Sequence, residues 1–278
     1  MRLLGSVKYG VPPEPMSQPC GHFFIEHVRL YSLTSFVIGL VEHAVTSDLA
    51  WVGLSEGPVS RLKDTERASL GRAIKLIDEF LHHSDLVFEL MFIRYVDNFL
   101  TYISDLLALI FKTRPETLKS GDSVRVEDVL SFPTIQDFIE SLTERKILQL
   151  STRGFSQLEN YLSERLGFEL FKSGDDFLRA KIIIEVRNVF VHNRGIANKI
   201  FASRAPEFEA ELGKRITLSK EEVVASIAFL TRSVAETDTQ AAQKFGTERP
   251  IATKDQLTRQ YVEIYGTDRE TPAQHTSN

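Results

Sequence analysis

The chain has 278 residues, 42% of them apolar and 26% charged, which suits one large domain or two small ones with an ordinary core and excludes a globally disordered polymer. The net charge of −5 excludes a surface that coats nucleic acid along its whole extent. Cys20 is the single cysteine, which excludes an intramolecular disulfide and a cysteine-rich zinc site and fits a reducing cytoplasm.

Residues 1–21 are rich in Pro and Gly, read as an irregular N-terminal segment, and carry no sustained apolar run of the signal-peptide kind. Helical spacing of apolar residues begins near His22 and continues to about Val45. Asp64 reads as the N-cap of a helix to His83, and a separate long helix is expected from Asp85 to Lys112, ending before Pro115. The stretch 86–111 is apolar enough to raise the question of a membrane, but Glu89, Arg94, Asp97 and Asp105 are each costly in lipid, so it reads as a core helix. On this reading the chain has no membrane partner.

Residues 115–133 read as a loop with a helical piece at 125–131, and as the best candidate for a boundary between an N-terminal helical region (22–115) and a helical bundle (134–245). The two can equally form one continuous domain. Helices are expected at 134–150, 155–166 and 176–192, the last capped by Asp175 or Asp176 and stopped by Gly195. A short helix at 196–204 and a loop at 206–218 follow. Ser219 with Glu222 three residues on is a capping box that opens a helix to Phe245. Residues 246–278 read as a short helix at 254–265 and a solvated tail. Strand-like alternation is nearly absent, so the class is all-α, a helical bundle.

Charge is uneven. Between Arg179 and Arg204 stand Arg179, Lys181, Arg187, Arg194, Lys199 and Arg204 against one acid, Glu185. Inside this basic island lies EVRNVFVHNRG (185–195), in which Arg187, Asn188, His192 and Asn193 interrupt an apolar helix. Asn188 and His192, four apart, share a helical face, whereas Arg187 lies about 140° from His192, so a bend, a helix end or a second copy is needed to aim both at one atom. The chemistry suits phosphodiester cleavage: an imidazole moves protons near neutral pH, a guanidinium forks onto phosphate oxygens, and an amide orients either. RNA carries its own nucleophile, the 2′-hydroxyl, so neither a metal nor a protein nucleophile is required.

The segment RNVFVH, with Asn after Arg and a glycine stop following, resembles the motif of the HEPN (higher eukaryotes and prokaryotes nucleotide-binding) domain superfamily, which is Arg, four to six residues, then His. The downstream GKRITLSKEEV is also similar to prokaryotic members, and the likeness covers roughly residues 176–245. The resemblance implies a HEPN-like C-terminal half and a homodimer with a composite site at its interface. It implies a metal-independent endoribonuclease, without cofactor, that leaves a 2′,3′-cyclic phosphate in a toxin–antitoxin or antiviral defence setting. RNA is the implied substrate, and an antitoxin or defence-system protein a further partner. By motif match Arg187, Asn188 and His192 are the implied catalytic set, with Asn193, Arg194 and Lys199 against the substrate. One toxin branch carries Tyr two residues after the His; Arg194 stands there instead, so regulation through that tyrosine is not implied.

Blander readings stand beside these. A non-catalytic dimerisation module that binds RNA, nucleotide or protein uses the same residues, and an accidental motif on a scaffold leaves Arg187 paired with Glu185 or a neighbouring helix. Glu89, Arg94, Asp97 and Asn98 read as the polar face of a greasy helix or as an internal pair. His82 and His83 read as a helix terminus, Trp51 and the phenylalanines as core. A second match, Arg269 to His275, lies in a Pro-containing tail and lacks the polar residue after Arg.

Overall fold

The computed structural model of the chain describes residues 10–51, 63–118, 125–152 and 154–265. The helices are α1 (Gln18–Trp51), α2 (Asp64–Thr113), α3 (Val126–Leu130), α4 (Ile135–Thr152), α5 (Phe155–Leu166), α6 (Gly174–Asn193), α7 (Lys199–Arg204), α8 (Lys220–Phe245) and α9 (Lys254–Tyr265), with 3-10 turns at Pro115–Leu118 and Pro206–Glu211. Among the described residues there is no strand, only isolated bridges between Met16 and Ile251 and between Ile196 and Arg215. The protein is all-α.

Two expectations change at the N-terminal end. Helix α1 starts at Gln18 rather than His22, because Cys20, Phe23 and Phe24 are core residues that helical spacing buries together, just after Met16 is fixed by its bridge to Ile251. The expected break at Ser84 does not occur: α2 runs unbroken for 50 residues, about 75 Å. No Gly or Pro interrupts 72–114, and Ser84 turns its hydroxyl back onto the Leu81 carbonyl at 2.8 Å. His82 and His83 therefore lie inside a helix. Asp64 is its first residue rather than its cap, and Glu66 accepts from the Lys63 N–H at 2.7 Å. Trp51 ends α1, but its side chain lies outside what is described.

The second half of α2 runs through the core. Phe92, Tyr95, Val96, Phe99, Tyr102, Leu106, Ile110 and Phe111 are buried, in one cluster with residues of α1, α5, α6 and α8. Fully burying each large apolar side chain contributes about 2 kcal/mol. Tyr102 satisfies its hydroxyl on the Val234 carbonyl at 3.3 Å. The first half of α2 instead forms a helical hairpin with α1, and this arm leaves Leu33, Phe36, Leu40, Ile74 and Leu81 in solvent. Phe36 is thus an exception to the reading of phenylalanine as core.

Two half-buried groups at the edge of this packing oppose each other in pH dependence. His27, among the rings of Phe23, Phe24 and Tyr95, is lowered to about 4 by burial, and Glu159 on α5 is raised to about 7 by burial, with the Leu170 N–H working against the rise and Glu169 adding to it. His27 gives stability that is present above its unfolded value of 6.5 and is lost as pH falls towards 4, about 3 kcal/mol at most. Glu159 gives stability that is present below its unfolded value of 4.5 and is lost as pH rises towards 7. We expect a shallow profile for the native chain between pH 5 and 6.5, because the two slopes cancel. In urea titrations at several pH values, Glu159→Gln should make stability rise with pH across this window, and His27→Gln should make it fall.

Candidate functional site

Helix α6 carries the motif and is enclosed for most of its length. Ala180, Ile182, Ile183, Ile184, Val186, Val189 and Phe190 are all buried, which is the composition of a central helix rather than a surface one. It starts at Gly174, where Ser173, not Asp175 or Asp176, is the cap: its hydroxyl accepts from the Asp175 N–H at 3.2 Å. The two aspartates occupy the first turn, where their charge favours the helix N-terminus.

The C-terminal end is set by two left-handed residues in succession. Arg194 (φ 54°) is the cap and Gly195 (φ 79°) follows, and both N–H groups return to the Val189 carbonyl. The glycine stop read from sequence holds, and Arg194 turns left-handed one residue before it. Arg194 takes the conformation that glycine usually supplies, at a cost of about 1–2 kcal/mol. Arg215 secures the turn: one nitrogen donates to the Arg194 carbonyl at 2.8 Å, and the other meets Glu89 of α2 at 2.6 Å.

The end of α6 opens onto a cleft of about 630 Å³ bounded by α2, α5, α6 and α7. Arg187, Asn188, His192 and Asn193 all line it, together with Glu185, Asn198 and Arg204. A broad cleft at a helix end thus receives side chains from a wide arc of α6, so one chain brings Arg187 and His192 to a common space without a second copy. His192 is exposed at the rim, while Arg187 and Asn188 are half-buried. Arg194 and Lys199 are exposed and do not line the cleft.

Arg187 is held from two sides. One terminal nitrogen donates to the Asn188 side-chain oxygen at 3.1 Å, and the other lies 2.5 Å from Asp97 Oδ1 of α2. The Asp97 contact is an ion pair in distance but not in hydrogen-bond direction, so Oδ1 and the buried Arg187 Nε keep no directed hydrogen bond. Asn188, with its oxygen engaged, has its amide N–H groups to offer to a ligand. A second pair, Arg204 with Glu185 at 3.3 Å, stands at another wall of the cleft. Asn198 caps α7 through its oxygen, which accepts from the Phe201 N–H at 2.8 Å.

The basic island is therefore not a free cationic face: Arg187 and Arg204 face carboxylates, and Arg179 donates to the Ala225 carbonyl at 3.0 Å and stacks on Phe229. Glu89, Arg94, Asp97 and Asn98 of α2 form no pair with one another. Glu89 meets Arg215, Arg94 meets Glu26 at 2.7 Å, Asp97 meets Arg187, and the Asn98 amide donates to the Phe23 carbonyl at 3.0 Å. Asp97, Asn198 and Arg204 are members of the site surroundings that the motif alone did not select. Their only sequence signals are an acid in an apolar helix and two polar residues inside the basic island. Among the described residues no three potential metal ligands come together.

Comparison with protein-family models, with characterised proteins and with solved structures yields no match to this chain.

The Arg187–Asp97 pair should show a coupling of about 1–2 kcal/mol in a double-mutant cycle built from Arg187→Ala and Asp97→Ala and read by urea unfolding. Replacement of the left-handed cap, Arg194→Gly, should raise stability by about 1 kcal/mol in the same assay.

Proposed function

We propose that the chain is an endoribonuclease whose reaction takes place in the cleft at the C-terminal end of α6. The observation that carries this reading is the presence of Arg187, Asn188, His192 and Asn193 in one solvent-open cleft of a single chain. An RNA phosphodiester there would be cleaved by its own 2′-hydroxyl. The 2′ oxygen forms a bond to phosphorus, the bond from phosphorus to the 5′ oxygen breaks, and the products are a 2′,3′-cyclic phosphate and a 5′-hydroxyl. His192 takes the 2′-hydroxyl proton and delivers a proton to the departing 5′ oxygen. Arg187, pre-oriented by Asp97 and Asn188, stabilises the charge that develops on the phosphate oxygens. The Asn188 and Asn193 amides position the phosphate or the imidazole. The nucleophile belongs to the substrate, so the scheme asks nothing of a metal.

A second reading, a non-catalytic module that binds RNA, nucleotide or protein, is favoured by one specific observation. The two arginines of the cleft each face a carboxylate, so its walls offer amides more than net positive charge. Asn188, Asn193 and Asn198 are then the recognition groups.

The two readings separate on His192→Ala tested with a panel of single-stranded RNAs. On the nuclease reading, the native chain cuts RNA in the presence of EDTA and leaves cyclic-phosphate ends. The variant, still folded by circular dichroism, loses activity about 10²-fold or more. Binding without cleavage by both forms would establish the module instead, and absence of both binding and cleavage across the panel would remove the RNA reading.

A further inference from the structure

The cleft at the end of α6 changes character along its length. Helices α2 and α6 run antiparallel: Phe92 packs on Phe190 at 6.0 Å, and Asp97 meets Arg187. Three residues further along α2, Leu100 therefore stands level with Ile184. On α6, Ile184, Asn188 and His192 follow one another at four-residue spacing and all line the cleft, passing from buried through half-buried to exposed. His192 and Asn193 mark a polar mouth. Ile184 marks an apolar end about one helical turn, ~6 Å, beyond Asn188.

Ile103 of α2 and Phe155 and Leu158 of α5 complete that end, each 8% exposed or less. Leu100 is half-buried there. Ser104, which also lines the cleft, adds little polarity, because its hydroxyl donates to the Leu100 carbonyl of its own helix at 3.1 Å. The apolar end is thus sheltered from solvent and opens only toward the polar mouth.

Three constraints decide what can fill both parts at once. The apolar end holds no counter-charge, so a phosphate would lose its hydration there for nothing and stays at the mouth. At the boundary stands Asn188, whose oxygen is engaged by Arg187 and whose two N–H groups need an acceptor once the cleft is filled. An aliphatic side chain of a protein partner would leave those N–H groups buried and unmatched. A nucleobase would not, because its faces are apolar and its edge carries acceptors. A ribose then bridges the single helical turn between that base and the phosphate at Arg187. The third constraint is size: about 630 Å³ is within the range of pockets that enclose most of a small ligand. A base paired in a duplex has its faces stacked and its edge occupied, so only an unpaired base can enter.

We propose that the apolar end of the cleft, formed by Leu100, Ile103, Phe155, Leu158 and Ile184, holds one unpaired nucleobase beside the phosphate that Arg187 faces, with an Asn188 N–H on its edge. The chain then selects single-stranded RNA by an enclosed base rather than by backbone charge. This rests on the reading of the cleft as an RNA site and adds to it what the site recognises.

The test reads binding apart from cleavage. A fluorescein-labelled single-stranded octamer of 2′-deoxynucleotides, which lacks the attacking hydroxyl, is titrated with the full chain beside an abasic octamer and a duplex of the same sequence. The base-bearing strand should bind about 10-fold or more tightly than either, the contribution of one enclosed base. Leu100→Phe and Ser104→Met each fill the apolar end from a half-buried position. Each should bring the base-bearing strand down to the abasic affinity, leave the abasic affinity within about twofold, and keep the helix content unchanged by circular dichroism. Equal binding of base-bearing and abasic strands overturns the proposal, as does undiminished discrimination in both folded variants. So does absence of binding by all three probes at ~100 µM, the weak end of non-specific nucleic-acid affinity, which leaves the apolar end to a protein side chain. Failure here and failure of the nuclease reading are distinct. RNA cut equally well with and without bases beside the scissile bond removes the base compartment and keeps the nuclease. Base discrimination by the deoxy octamer, with no RNA in the panel cut, keeps the compartment and removes the nuclease.

Discussion

The contact between Arg187 and Asp97 is where the fold and the candidate site meet. Helix α6 is apolar on nearly every side, and a guanidinium on it needs a counter-charge wherever solvent is thin. Helix α2 supplies that charge from the middle of an equally apolar stretch. The pair therefore ties the central helix to the longest helix and fixes the direction in which Arg187 projects. Without it, the cleft beyond Asn188 would have a mobile cation at its wall. With it, the arginine is restrained from two sides before any ligand arrives, which is the condition for transition-state stabilisation without reorganisation.

The same contact shapes the electrostatics of the cleft. A phosphate approaching Arg187 meets a guanidinium already shared with a carboxylate and an amide. Its gain is the difference between two paired states rather than the full attraction of a bare cation. Glu185 treats Arg204 in the same way. A cleft of this kind discriminates by geometry and by its amides more than by net charge, in keeping with a chain whose overall charge is negative. His192, at the exposed end of α6, faces this cleft without an enclosing wall of its own.

Much of this was legible in the sequence because the relevant signals are local. The capping box at Ser219 and Glu222 opens α8 as expected, and Gly154 and Gly167 flank α5 where the apolar spacing begins and ends. The motif residues reach one cleft because their spacing and a nearby helix end are sequence properties. What was not legible is tertiary. A His-His-Ser-Asp run looks like a terminus, yet nothing in it stops a helix, and α2 continues across it. Glycine after a polar residue marks a helix end, but which residue turns left-handed was settled by Arg215 gripping the Arg194 carbonyl from the far side of the loop. That Asp97, ninety residues upstream, would meet Arg187 has no local signal at all.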